Sequence, residues 1–280
     1  DRQLEKQCRQ AGIKTTSSWI LTFDNVLKDT RFVTTMKEML QIIKNAYRSH
    51  IDIEFTTNFL QDGSFRINLV QCRPFQMQEP TQIIVPLPQI TEKEILIKAS
   101  GAVIGNSRKM PLHRIIYVVP NKYAQLSEKK RYSVANVIGS LTHTTDSSQK
   151  RIMLIGPGRW GTSTPSLGIP VSFSEISRAS VLCEIDSMHE GLIPDLSLGT
   201  HFFNEMVEMN MLYIAYFVGR EGNIFNEQLF RAMPNALSRL LPEAAHWEDT
   251  IMVLEREDVS KNFYLYANSL DQSVIVYQKE

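Results

Sequence analysis

The stretch from Ile51 to Pro74, IDIEFTTNFLQDGSFRINLVQCRP, constrains this chain more than any other. Two runs rich in β-branched and aromatic residues flank Asp62-Gly63, a strong short-range signal for a β-hairpin. If those two residues form the loop, Gln61 pairs with Ser64, Glu54 faces Gln71, and Asp52 faces Arg73. Side chains alternate along a strand, so Asp52 and Glu54 share a face, as do Gln71 and Arg73. A carboxylate, an amide and a guanidinium then converge at the open end of the hairpin. A hard cation takes carboxylate oxygen and a guanidinium forks onto phosphate oxygens, so the trio suits a magnesium–polyphosphate ligand. The competing reading is a cross-strand salt bridge with solvated polar neighbours. A bulge would shift the register.

The same residues carry a family resemblance. Asp52-Ile53-Glu54-Phe55, a short glycine-containing turn, and Gln71-Cys72-Arg73-Pro74 resemble the strands that close the ATP-grasp nucleotide-binding domain of pyruvate phosphate dikinase and phosphoenolpyruvate synthase. The resemblance covers 51–74. It implies that Glu54 is a magnesium ligand, that Gln71 and Arg73 contact the phosphates of ATP, and that Arg73 stabilises the transferring group. It also implies that a first ATP-grasp lobe precedes residue 1, so that the chain is a fragment inactive alone. The family transfers phosphoryl groups to pyruvate, but no residue here reads pyruvate or another acceptor.

Apolar positions Met36, Leu40, Ile43 and Tyr47 predict a helix over 34–49, packed beneath the hairpin with that stripe as core. A helix over 1–14 and a strand over 18–24 are expected before it. Pro80, Pro86 and Pro88 mark a linker, giving an ATP-grasp piece at 1–78 and a second domain at 79–280. In the second domain, strands are expected at 94–103, 115–119, 151–155, 179–185, 212–218, 251–254 and 274–277, with 263–267 between the last two. One long helix is expected over 121–141, with Lys122, Lys129, Lys130 and Arg131 on a solvated face. Further helices are expected at 200–209, 226–232 and 235–240. The fold class is α/β (or α+β), a C-terminal piece of an ATP-grasp lobe followed by a mixed-sheet domain.

Gly156, Gly158 and Gly161 match the G-x-G-x-x-G pattern. Pro165, Gly168 and Pro170 follow, however, and leave no helix N-terminus to bind a pyrophosphate. The loop 156–170 is read instead as an ordered glycine-rich segment that turns Arg159, and with it Trp160, toward an anion or a partner; alternatively the glycines permit tight packing and Trp160 fills the core. His201 opens a predicted helix, where it is a ligand contact, a base, or a hydrogen-bonded core residue. GPGRWG, SLGIPVSF and GTHFF resemble the region after the Q-x-R-P strand in bacterial pyruvate- and phosphoenolpyruvate-binding-domain proteins. His143, in Leu141–Thr145, lacks the context of a phosphohistidine motif.

Thirty basic and thirty acidic residues give no net charge, which argues against nucleic acid or a membrane surface as partner. Three separated cysteines give neither a zinc pattern nor a disulfide framework, and a cytoplasmic setting is expected. The first function expected is an ATP- and Mg²⁺-dependent phosphotransferase. A non-catalytic ligand-binding or assembly module using the 156–170 loop and His201 is the alternative, and an independent enzyme using Arg159 and His201 a third. The sequence does not specify oligomeric state.

Overall fold

The computed structural model describes residues 23–29, 31–48, 50–60, 62–75, 89–101, 103–144, 150–187, 196–197 and 201–280. The helix expected at 1–14, most of the strand expected at 18–24, and the linker at 76–88 lie outside them. The chain divides into two compact units, Asp1–Gln76 and Met77–Glu280.

The first unit contains helices α1 (Asp24–Asp29) and α2 (Phe32–Tyr47) and the antiparallel strands β1 (His50–Phe59) and β2 (Phe65–Phe75). Asp24 therefore starts a helix and does not end a strand. Helix α2 packs on the hairpin through Phe32, whose ring meets Phe55, Phe59 and Phe65 at 5.8–6.2 Å. The expected core stripe is displaced. Leu40 and Tyr47 are exposed, and the helix has no fully buried residue.

The loop is one residue longer than the Asp-Gly signal suggests. Leu60 N–H donates to Ser64 O at 2.8 Å, and Gly63 N–H to Leu60 O at 3.1 Å. Gly63 sits at φ +81°, the left-handed residue that closes a three-residue hairpin loop. Phe59 consequently pairs with Phe65, Thr57 with Ile67, and Phe55 with Leu69. A bulge at Val70 then takes up the one-residue difference, and from Glu54 outward the register is the expected one.

The second unit has two sheets. Strands β3 (Ile95–Ser100), β4 (Val103–Ile104), β5 (Arg108–Leu112) and β6 (Arg114–Val118) lead into helices α3 (Pro120–Ala124) and α4 (Glu128–Thr142). The single helix expected over 121–141 is thus broken, because Ser127 is extended at ψ 156°. Arg131 also leaves the solvated face: it is buried and donates to Ala124 O and Pro165 O, each at 2.8 Å. Next come β7 (Ile152–Pro157), β8 (Arg159–Trp160), β9 (Gly168–Ile169), α5 (Phe173–Ile176), β10 (Ala179–Ile185), α6 (His201–Glu208) and β11 (Leu212–Tyr216). The chain closes with β12 (Ile224–Phe225), α7 (Glu227–Arg231), α8 (Leu237–Leu240), β13 (Ile251–Glu255), β14 (Asn262–Asn268) and β15 (Ser273–Lys279).

One sheet has the order β13-β6-β7-β10-β11-β4, with β6, β7, β10 and β11 mutually parallel. The other is antiparallel, β12-β3-β15-β14-β5. The parallel strands are buried on both faces, which is why RIIYV, IMLIGP and LYIAY are apolar runs without polar alternation. Ile116, Leu154, Leu182 and Tyr213 face the layer formed by α4, α5 and α6. Ile115, Met153, Cys183 and Ile214 face the antiparallel sheet. The fold is α/β, with helices on one face of a mixed sheet and a second sheet on the other. Among the described residues, no helix is long and apolar enough to cross a membrane.

Candidate functional site

The open end of the hairpin assembles the residues singled out there. Glu54 pairs with Gln71 and Asp52 with Arg73. The rings on Phe32 fix the helix-packed face as that of Phe55 and Phe59, so alternation puts Asp52, Glu54, Gln71 and Arg73 on the opposite face. Arg73 donates from Nε and Nη2 to Oδ2 of Asp52, at 3.1 and 3.0 Å. Both side chains are about one-third exposed, so the pair contributes less than about 1 kcal/mol to stability. Its effect is on geometry: it fixes the guanidinium plane and leaves Nη1 without a protein acceptor among the described residues. Glu54 and Gln71 are exposed beside it. No cluster of three or more metal-ligating side chains occurs among the described residues, so a cation here would take one carboxylate and complete its shell with ligand and water oxygens.

The glycine-rich loop is built into the core. Strand β7 runs to Pro157, and among the described residues no α-helix follows before Phe173, only a 3-10 turn at Pro165–Leu167. Gly158 adopts φ +65°, and a side chain there would lie 2.3 Å from Leu167 O. At Gly156 a Cβ would meet Ile169 Cδ1 at 2.6 Å and Trp160 Cζ2 at 2.9 Å. These glycines admit close packing. Trp160 is fully buried, which settles its reading in favour of the core, and Arg159 is partly buried beside it. Tyr123 OH donates to Gly168 O at 2.8 Å, and Arg131 holds Pro165 O. His201 begins α6, and its side chain lies outside the described residues. His143 caps its own helix, with Nδ1 3.0 Å from Gly139 O.

Beneath the loop lies a carboxylate that sequence reasoning passed over. Glu184, the next-to-last residue of β10, is fully buried. It accepts hydrogen bonds from Trp160 N (2.8 Å), Ser197 N (2.7 Å), Ser197 Oγ (2.5 Å) and Tyr213 OH (2.8 Å). Burial raises its pKa from the ordinary 4.5, against the pull of these donors. Burial also pushes up the Cys183 thiol and the Tyr213 phenol, with the Glu184 charge adding to both. The one sequence signal was a charge within ASVLCEI, an otherwise apolar strand. All four donors are supplied by the chain, so Glu184 ties together β8, β10, β11 and Ser197.

Compared with protein-family models, with curated proteins and with solved structures, the chain matches none.

Proposed function

We propose that the hairpin contributes part of a Mg-ATP site in a phosphotransferase of the dikinase type. Glu54 supplies oxygen to the magnesium ion, and Gln71 and Arg73 supply donors to the phosphates. The observation that carries this reading is the bulge-corrected register, which sets Glu54 beside Gln71 and Asp52 beside Arg73 on the face away from α2. Arg73, aimed by Asp52, would stabilise charge on the transferring phosphoryl group, where catalysis is mostly positioning and electrostatics. The nucleotide-holding lysine of such a site comes from outside the hairpin. Pyruvate remains the acceptor that the family resemblance suggests.

The test is calorimetric titration of Mg-ATP into the full-length protein. Binding that weakens at least tenfold in both Glu54→Ala and Arg73→Ala, with unchanged thermal unfolding, supports the reading. Equal affinity in wild type and both variants would sink it.

A further inference from the structure

At the carboxyl ends of the parallel strands lies a cavity that neither the hairpin nor the glycine-rich loop accounts for. Its volume is about 380 Å³, and its lining includes Tyr117, Asn121, Ser187, Tyr216, Phe225 and Glu227. Small-molecule sites start at about 300 Å³, and open α/β sheets place ligands outside the carboxyl ends of their strands. Tyr117 is the next-to-last residue of β6 and Tyr216 ends β11, the first and last of the four parallel strands. Phe225 reaches them from the other sheet, with ring centroids 5.2 Å from Tyr117 and 5.5 Å from Tyr216.

The polar groups point to a ligand. Tyr117 is 2% exposed and Tyr216 is 6% exposed; neither hydroxyl hydrogen-bonds to any described residue, and neither is sealed from solvent, so both are reachable from the cavity they line. With their rings packed and their hydroxyls open to the cavity, both phenols can pair with a ligand there. Burial raises the Tyr117 phenol well above its usual range, so it stays protonated and can donate. Among the described residues the one charged lining side chain is Glu227, whose Oε1 accepts from Arg231 Nε at 3.1 Å and Nη2 at 2.7 Å. Among the described residues no basic side chain lines the cavity, so an anionic ligand finds no counter-charge from them.

We propose that this cavity binds a neutral, planar heteroaromatic molecule of nucleobase size, its ring against Phe225 and its polar edge on the hydroxyls of Tyr117 and Tyr216, Asn121 and Ser187. Aromatic walls select a flat ring, and two phenols that both donate and accept select an edge carrying both kinds of group.

The test is saturation-transfer NMR on the full chain with adenine, cytosine and nicotinamide, each at millimolar concentration in EDTA without phosphate. Under these conditions a magnesium–polyphosphate site is silent. Val218→Trp fills the cavity from an exposed rim position that folding tolerates, and Tyr216→Phe removes one hydroxyl. Transfer to at least one heterocycle is expected, falling at least fivefold in both variants and unchanged in Arg73→Ala. Absence of transfer to all three, or transfer that survives Val218→Trp, overturns the proposal. Loss of transfer in Arg73→Ala overturns it too, because the binding then belongs to the hairpin. Failure of Mg-ATP binding leaves this result untouched, so the two readings fall separately.

Discussion

Trp160 donates its backbone N–H to the carboxylate of Glu184 at 2.8 Å, and both residues are fully buried. The contact anchors the turn after β7 to the centre of the sheet, and Ser197 and Tyr213 complete the set of donors. Glu184→Ala leaves two amides and the Tyr213 hydroxyl without this acceptor, while Ser197 Oγ keeps Trp160 O at 3.2 Å. A destabilisation of at least about 3 kcal/mol is expected in urea unfolding, because each orphaned buried donor costs its desolvation. A loss below 1 kcal/mol would show that the site refills with water at little cost.

The same carboxyl sets a pH dependence. Burial raises its folded-state pKa above 4.5, so the folded state holds the proton more tightly than the unfolded chain. The stability this contributes is full below the unfolded value and is lost as pH rises through the folded one. Glu184→Gln does not titrate. From pH 4 to pH 8, the difference in unfolding free energy between wild type and variant should therefore move toward the variant, by about 1.4 kcal/mol per unit of upward shift. Movement in the other direction would mean that the four donors outweigh burial.

A second buried charge network joins the far end of the same sheet. Glu255 on β13 pairs with Arg114 on β6, and Lys150 Nζ reaches its other oxygen at 2.8 Å. Arg114 also donates to Leu141 O at 2.5 Å and Thr144 Oγ1 at 2.8 Å. Glu255→Ala takes the carboxylate from the fully buried Arg114, while Lys150 keeps Glu257 at 3.4 Å, and is expected to cost about 3–5 kcal/mol. Lys150→Met keeps the Arg114 pair and should cost about 1 kcal/mol. Equal losses in calorimetric unfolding would contradict this division.

Gly63 separates backbone strain from packing. Its φ is +81°, and a Cβ there would meet nothing within 4 Å. Gly63→Ala therefore costs only conformational energy, about 1 kcal/mol. Thermal unfolding of the first unit should fall by a few degrees. An unchanged midpoint would indicate that the loop adopts another turn.

Much of this architecture was legible because parallel strands buried on both faces read as unbroken apolar runs, and Ala179–Ile185 appears with the bounds expected of it. The hairpin register also had a sequence signal. Phe65, Ile67 and Leu69 alternate in one phase and Cys72 resumes in the other, which places an irregularity near Val70. Asp62-Gly63 suggested a two-residue loop, and the longer loop and the bulge cancel at Glu54. The break in the helix at Ser127 was hidden because the apolar spacing continues through Leu126 and Val134. Glu184 left a single sign, a charge within an apolar strand, and the cavity left none. The donors to Glu184 come from Trp160, Ser197 and Tyr213, and the cavity gathers aromatic residues from strand ends, where spacing along the chain carries no sign of convergence.

Asp52 tests how Arg73 is aimed. The carboxylate takes two guanidinium hydrogens on a single oxygen, so it orients Arg73 without using all its donors. Asp52→Asn keeps the size and one acceptor but removes the charge that holds the fork. Because the pair is about one-third exposed, unfolding free energy should change by less than about 1 kcal/mol. A polyphosphate ligand meets a guanidinium that must now be ordered on binding, and ordering a long side chain costs about 0.5–1.5 kcal/mol. Mg-ATP affinity in the full-length protein should accordingly fall about three- to tenfold, while Arg73→Ala falls further. If Asp52→Asn binds as tightly as wild type and Arg73→Ala does not, Arg73 meets phosphate without help from Asp52. If the asparagine variant binds more tightly, Asp52 competes with the ligand for Arg73, and the salt bridge is a resting state that ATP displaces.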